Sequence, residues 1–426
     1  MSTLKVNKLR DTAGSADAIV LDPNGGAVLA GVTTVTSVKV GAAVTISESG
    51  IEATGVGITV ANINGGQIGG RRNLVINGAM NVAQRATSYT GSDQYNTVDR
   101  IHTSNNNVDE NCTFAQVDVA SGTTPYSLGF RKALKVTNGN QTTGVDVDAN
   151  IQIQHRIEDQ NMAQSGWNYT SSSSFITLQF WVKSSVAQNF YGYLRTRNGT
   201  EQIYNFETGS LTADTWTKII KTVPGNSNLQ FDNDNGRGLQ FNLAPYWGTN
   251  FTDSGISLGS WRAYVNGERT PDSTSTWYLT NDATFEITGL QIEVGSQATA
   301  FEHRSFGEEL ALCLRYYELI AERDEGSNSK ENNIGPFWGD GSSSFIQIPF
   351  KVKKRTQPTL DISNYSNAFR IYGNSGGNNV DTLSANTLHR DGMQLEASVD
   401  SGNAGYARLY ATSNSLKALV AADSEL

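Results

Sequence analysis

Residues 275–295 read STWYLTNDATFEITGLQIEVG, and the second half of that run decides the fold. Phe285 and Ile287 alternate with polar neighbours, the alternation breaks at Thr288-Gly289, and it resumes with Leu290, Ile292 and Val294. A period of two puts apolar side chains on one side of an extended chain and polar ones on the other. The same reading applies to SFITLQFWVKSS (174–185), FYGYLRTR (190–197), DTWTKIIKTVPGN (214–226) and GRGLQFNLA (236–244). RNLVINGAM (72–80) reads as a further strand ending in a turn at Asn77-Gly78. Short strands at such regular spacing predict one large all-β domain over 71–304, a jelly-roll-like β-sandwich.

Composition points the same way. Hydrophobic residues make up 38% and charged residues 17% of the 426, and 42 are Gly, a mixture suited to turn-dense β structure and not to helical bundles. The net charge of −9 argues against wrapping nucleic acid. No apolar run approaches the roughly 18 residues that span a bilayer, so no membrane insertion is expected. MSTLKVNKLRDTAGSADAIV lacks the basic-then-apolar pattern of a signal peptide, so the expectation is synthesis in the cytoplasm without export. Cys112 and Cys313 stand far apart and read as buried free thiols in preference to a disulfide.

The flanks of the sandwich differ from it. Residues 1–70 contain no Trp, Tyr or Phe, and GVTTVT from Gly31 returns loosely as GVGITV from Gly55. Side chains this small bury little area per residue, so a compact core from one chain is not expected. The segment carries more Val and Ile than a flexible linker does, and predicts an N-terminal intertwined β stalk in which identical chains supply the missing surface. GGQIGGRR (65–72) lacks the Lys-Ser/Thr of a phosphate loop and reads as the joint to the sandwich.

On the other side, Ser305 with Glu308 forms a capping-box pattern, and Leu310, Cys313, Leu314, Tyr317 and Ile320 recur at helical spacing. This predicts a short connector helix and polar hinge over 305–333, the helix either packed on its own sandwich or linking it to the C-terminal region. Residues 334–426 predict a small C-terminal β-sandwich tip, with prolines in FIQIPF and TQPTL as edge-strand signals.

The chemistry-bearing residues do not assemble into an active site on paper. His155, His303 and His389 each precede an Arg, but none has a nucleophile or ligand at a useful spacing. DNDNG (232–236) has its Gly at the wrong position for a calcium loop and no Glu at the twelfth, so it reads as a turn. Asp146 with Asp148, and Glu158 with Asp159, cannot be placed at the separations glycoside hydrolysis requires. No catalytic residue, metal or cofactor is therefore expected. Sugar binding is the sharper expectation, through exposed aromatics in Gly/Asn/Ser-rich segments: Tyr246, Trp247, Trp261 and Tyr264 in the sandwich, and Tyr365, Tyr372, Tyr406 and Tyr410 in the tip. Trp181, Trp216 and Trp277 lie within strand runs and read as core.

RNLVINGAMNVAQRATSYTGSDQYNTVDRI (72–101) resembles the opening of sandwich modules in bacteriophage tail-fibre proteins, through Asn73, Leu74, Asn77, Gly78, Gln84, Arg85, Tyr95, Asp99 and Arg100. ITGLQIEVGSQATAFEHRSFGEELALCLRYYE (287–318) resembles the junction block of tail fibres from short-tailed marine phages that infect cyanobacteria. IPFKVKKRTQPTL (348–360) and ADSEL (422–426) are similar to the ends of those proteins. The resemblance implies a non-enzymatic homotrimeric virion tail fibre. Its N-terminal segment would engage other tail proteins, and its outer domains a glycan or protein receptor on the host surface. The alternative is a carbohydrate-binding accessory protein or a polysaccharide-degrading tailspike.

Overall fold

The computed structural model describes residues 71–92, 94–323, 343–363, 376–399 and 418–426. It also describes short strands at 8–9, 19–21, 27–29, 37–40, 44–47, 50–53, 331–332, 337–339, 369–373 and 409–411. The chain divides into two compact units, Met1–Ala61 and Asn62–Leu426. In the first, Lys8–Leu9, Ile19–Leu21 and Ala27–Leu29 form one antiparallel sheet, and Ser37–Val40, Val44–Ser47 and Gly50–Ala53 another. The GVTTVT and GVGITV repeats and the GGQIG joint lie outside the described residues.

In the second unit the alternating runs pair into two six-stranded antiparallel sheets. One has the order Thr217–Pro224, Phe175–Ser184, Thr284–Val294, Lys132–Thr137, Thr113–Asp118, Ser88–Thr90. The other runs Trp261–Ala263, Gln202–Ser210, Asn189–Thr196, Arg237–Trp247, Asn150–Glu158, Ile101–Asn106. Their facing sides enclose one apolar core, to which Phe114, Ile153, Phe180, Phe206, Phe241 and Phe285 contribute. Each such side chain stabilises the fold by about 1.5–3 kcal/mol through removal from water. The protein is an all-β sandwich, as the patterning predicts.

Thr284–Val294 shows why the alternation breaks where it does. Ile287 lies between Leu134 and Val182 on the neighbouring strands. The pairing with Phe175–Ser184 slips between Gln179 and Trp181, and Gly289 adopts φ +66°. This is a β-bulge, and the extra residue lets Ile287 and Leu290 both face the core. A Cβ on Gly289 would stand 2.7 Å from Phe130 Cζ, so the site has neither the dihedral nor the room for a side chain.

Several expectations need correcting. The first half of the 275–295 run is a short helix, Thr276–Leu279, that buries Trp277 and Tyr278, and the strand begins only at Thr284. Trp181 and Trp216 are only partly buried, packed over a satellite cluster around Phe130 and Ala133. Residues 72–80 follow the Thr284–Val294 strand without becoming one. Leu74 N–H donates to Ile292 O, and Leu290 N–H to Gly78 O, both at 2.9 Å, but side chains of Asn73, His155 and Glu309 take other backbone groups. The Asn73 carboxamide oxygen accepts from Val75 N and Ile292 N, and Glu309 Oε1 accepts from Asn77 N at 2.6 Å.

The capped helix is present but shorter than its pattern. It spans Phe306–Leu314, with Ser305 Oγ accepting from Glu308 N and Glu308 Oε2 from Ser305 N. Its Leu310, Leu312 and Cys313 pack with Ile76, Val82, Tyr316 and Leu426, so it rests on its own sandwich. Tyr317 and Ile320 leave the helix and enter the strand Tyr317–Arg323, which pairs with Ala418–Asp423. Pairing with a segment a hundred positions away, interrupted only by a register shift at Ile320, overrides the local helical spacing. Both cysteines are free and buried, and burial pushes the Cys112 thiol up to about 12.

Beyond the helix, Tyr317–Arg323, Ala418–Asp423 and Thr359–Ser363 form a three-stranded sheet. A seven-stranded sheet runs Glu331–Asn332, Leu409–Ala411, Phe369–Gly373, Gly376–Leu388, Gly392–Val399, Ser343–Pro349, Phe337–Gly339. Ala321 and Val420 of the three-stranded sheet pack with Ile346, Ile348 and Leu395 of the seven-stranded one in a single core. Pro349 ends a strand paired on both sides over Ser344–Ile346, but at Pro349 itself only Gly392 pairs with it among the described residues; Thr359–Ser363, just after Pro358, is an edge strand.

Candidate functional site

The structure does not present the sandwich aromatics as open platforms. Tyr246 and Trp247 end the strand Arg237–Trp247 at 2% and 1% exposure, which overturns the expectation of exposed faces. Tyr246 stacks on Tyr278 with ring centres 4.2 Å apart, inside the core. Trp247 points the other way and is covered by the loop after its strand, because Arg269 N–H bonds to Phe251 O and the Arg269 guanidinium lies 4.7 Å from the Trp247 ring centre. Trp261 is half-buried, donating from Nε1 to Pro224 O at 2.7 Å, and so ties the edges of the two sheets together. Tyr264 is half-buried under the Arg195 guanidinium, 3.3 Å from its ring centre. Tyr365 and Tyr406 lie outside the described residues. Tyr372 and Tyr410 fall in the strands Phe369–Gly373 and Leu409–Ala411, and their side chains also lie outside what is described.

What the fold brings together is a different set of residues. Segments 85–96, Ile101–Asn106, Asn150–Glu158, Tyr317–Arg323, Thr359–Ser363 and 423–425 enclose a cleft of about 570 Å³ where the sandwich meets the three-stranded sheet. Tyr89, Tyr95 and Tyr317 line it together with Arg85, Arg156, His102, Gln94, Asn96 and Asp361. Arg85 lies 3.6 Å over the Tyr317 ring centre and pairs with Asp423 at 2.8 Å and Glu425 at 3.4 Å. Tyr95 meets His102 edge-on at 4.9 Å and donates to the Leu426 main-chain oxygen at 3.1 Å. Burial, with Arg156 and Arg237 acting in the same direction, pulls His102 down to about 3, so its imidazole is neutral. Burial also holds the Tyr95 phenol above its ordinary value.

The residues that build this junction are those of the 72–101 and 287–318 segments and the closing ADSEL. The Asn77 side chain donates to Val82 O and Asp99 O, fixing the turn that leads to Gln84. Gln84 donates to Asp99 Oδ2 and, at 3.0 Å, to Tyr317 O. Arg100 pairs with Glu425 and lies 3.5 Å over the Tyr316 ring. Burial alone would lower the Arg100 guanidinium, but the Glu425 carboxylate holds it above its ordinary value. Three stretches distant in sequence thus meet at one buried ionic junction. Of the cleft residues, Arg156 carried a legible signal that the tryptophans did not: NIQIQHRIE (150–158) alternates apolar and polar along a single strand.

The outer side of the same sheet is a band of planar amides. Gln154 lies in register with Asn242 on one side and His102 on the other. Gln240 Nε2 donates to Gln154 Oε1 at 3.0 Å, Asn242 Nδ2 to Gln152 Oε1 at 2.7 Å, and Gln154 Nε2 to Gln152 Oε1 at 2.7 Å. Asn242 Oδ1 and Asn205 Oδ1 are buried there with no hydrogen-bond partner among the described residues. Such groups keep unspent hydrogen-bonding capacity.

No family model and no curated protein matches the chain. Three solved structures illustrate the likenesses found. The enzymatically active domain of bacteriophage CBA120 tailspike protein 4 aligns at TM-score 0.28 and 10% identity, over 52% of this chain and 21% of that one. A promiscuous carbohydrate-binding module of the β-sandwich superfamily aligns at TM-score 0.26 and 11% identity, over 64% and 71%. The family 11 carbohydrate-binding module from Clostridium thermocellum, solved with a β-1,3-1,4-mixed-linked tetrasaccharide, aligns at TM-score 0.22 and 11% identity, over 51% and 98%. The chain spans about a fifth of the tailspike's length, and at these scores no ligand or activity transfers from any of the three.

Proposed function

We propose that this chain is a tail-fibre-type adhesion protein that recognises a host-surface glycan at the cleft between sandwich and tip, and binds it without turning it over. The observation that carries the reading is the lining of that cleft: the half-buried Tyr89 and Tyr95 stand among Arg85, Arg156, Gln94, Asn96 and Asp361, while Tyr317 is buried beneath Arg85 and supports the wall. A pyranose offers apolar C–H faces and adjacent hydroxyls, and aromatic rings beside planar hydrogen-bonding groups are the complementary chemistry. Binding is favoured over hydrolysis because Asp423 and Glu425, two of the carboxylates lining the cleft, are held in ion pairs with Arg85 and Arg100. Assembly as a homotrimer, mounting on the virion through the N-terminal unit and synthesis in the host cytoplasm belong to the same proposal. They draw on the sequence resemblance of 72–426 and on the aromatic-free composition of 1–70.

The test is calorimetric titration of the full chain against a panel of host-surface polysaccharides, repeated with Tyr89→Ala and Asp361→Asn. Tyr89 is half-buried and Asp361 exposed, so neither substitution opens the core. Binding that weakens at least fivefold in both variants supports the cleft. Binding indifferent to both substitutions removes the cleft from consideration, and no binding to any glycan removes the reading.

A further inference from the structure

The outer face of the second sheet concentrates positive charge on a protein whose net charge is −9. Arg156 lies opposite Gln240, Gln240 opposite Arg195, Arg195 opposite Ile203, and Ile203 opposite Arg262. Directly opposed residues of antiparallel strands project to the same face, so three arginines share one row across five strands. Arg197, two residues beyond Arg195, joins them, and Arg237 opens the strand Arg237–Trp247 beside the bulge opposite Glu158.

The compensation is incomplete. Glu201 serves both Arg195 and Arg197, and Glu268 serves Arg262. Arg156 donates to the Gln154 carboxamide, the Tyr95 hydroxyl and the Leu426 main-chain oxygen. The Arg237 guanidinium makes no hydrogen bond or ion pair among the described residues. Burial pulls the Arg237 guanidinium down to about 10, and the neighbouring Arg156, Arg197 and Arg355 charges act in the same direction. Burial and Arg195 likewise lower Arg197. Of Arg156, Arg195, Arg197 and Arg237, only Arg195 and Arg197 form ion pairs with a side-chain carboxylate among the described residues, and they share Glu201; Arg156 also lines the cleft, beside Asp361, Asp423 and Glu425.

We propose that this face extends the cleft into a site for an acidic polysaccharide, whose carboxylate, sulfate or phosphate groups pair with Arg156, Arg197 and Arg237. The proposal rests on the glycan-binding reading above. Guanidinium forks match planar and tetrahedral anions through two parallel hydrogen bonds, and a bound anion would relieve the mutual repulsion of the arginines.

The experiment measures affinity of the full chain for polygalacturonate, for its carboxyl-reduced neutral counterpart, for heparin and for a DNA duplex, over a salt series. Arg237→Gln, Arg197→Gln and the charge-retaining Arg197→Lys are measured beside the unaltered protein, with melting curves to confirm folding. The expected result is binding to one or both acidic polysaccharides, at least tenfold weaker binding to the reduced polymer, and a further loss of about tenfold in Arg237→Gln. Affinity should fall with salt, and Arg197→Lys should retain more of it than Arg197→Gln. Equal binding of the polymer and its reduced form, unaffected by Arg237→Gln, would overturn the acidic-ligand inference and leave the glycan reading standing. DNA bound as tightly as the polysaccharides would overturn it in favour of a general polyanion surface. Binding to none of the polymers would overturn it outright, with the wider glycan panel then deciding the parent reading.

Discussion

Arg315 donates to Glu158 through both Nε and Nη2, at 2.6 and 2.7 Å, and so ties the residue just past the helix to the end of a sandwich strand. Tyr316 Oη donates to the same carboxylate at 2.5 Å, and the Glu158 side chain is fully shielded from solvent. The turn out of the helix is thus fastened to the sandwich before the chain enters the strand Tyr317–Arg323.

Removing Arg315 should therefore cost more than a surface ion pair would. Arg315→Leu leaves a buried carboxylate short of its cation, and a loss of about 3 kcal/mol is expected in urea unfolding at pH 7. The pH dependence has a definite sign. Burial pushes the Glu158 carboxyl up, but hydrogen bonds from Arg315 and Tyr316 outweigh it and leave its pKa below the ordinary value. In the native protein this pair stabilises above about pH 4.5 and loses its contribution as acid protonates Glu158. In Arg315→Leu burial is no longer offset, so the deficit should shrink between pH 7 and pH 4. A deficit constant over that range would show that the pair contributes little.

His102 sets a second pH dependence. Its folded pKa of about 3 lies below the ordinary 6.5, so below pH 6.5 the unfolded chain takes up a proton that the folded chain does not. Stability should decline as pH falls from 6.5, by up to about 1.4 kcal/mol per pH unit for this group. His155, lowered by burial as well, adds to the slope. His102→Gln should flatten the slope between pH 6 and pH 4 by about half. An unchanged slope would place the acid sensitivity elsewhere.

Gly289→Ala should destabilise by about 2–3 kcal/mol, combining a left-handed backbone position with a clash against Phe130 and Trp181. Chemical denaturation reads this directly. A loss under 0.5 kcal/mol would mean that the bulge can migrate along the strand.

Light scattering of the full chain should give three times the 46.0 kDa chain mass, and of residues 62–426 alone a single chain mass. A trimer that survives removal of 1–61 would place assembly in the sandwich or tip.

Much of the fold was legible because its signal is local. Phe285, Ile287, Leu290 and Ile292 announce a strand by their own spacing, and even the interruption at Thr288-Gly289 marked the bulge. The Ser305–Glu308 box likewise announced where the helix starts. Its end was not legible. Tyr317 and Ile320 continue the helical spacing, yet Tyr317 pairs with Asp423 and Ile320 sits at the bulge of the same strand. Burial of Trp247 depended on Arg269 folding back over it, which no spacing in APYWGTN reports.

The alternation of residue types by itself determined that this protein is an all-β sandwich, with a capped helix after it and two unpaired thiols. Periodicity, capping and turn chemistry act over a few neighbouring residues. Only the tertiary structure decided which residues share a site. The Gln84 bond to Tyr317, the Arg85 pair with Asp423 and the Arg100 pair with Glu425 each join positions more than two hundred apart. The arginine row exists because register across five strands aligns Arg156, Arg195 and Arg262. Register is a property of strand pairing, and the order of residues along one strand does not contain it.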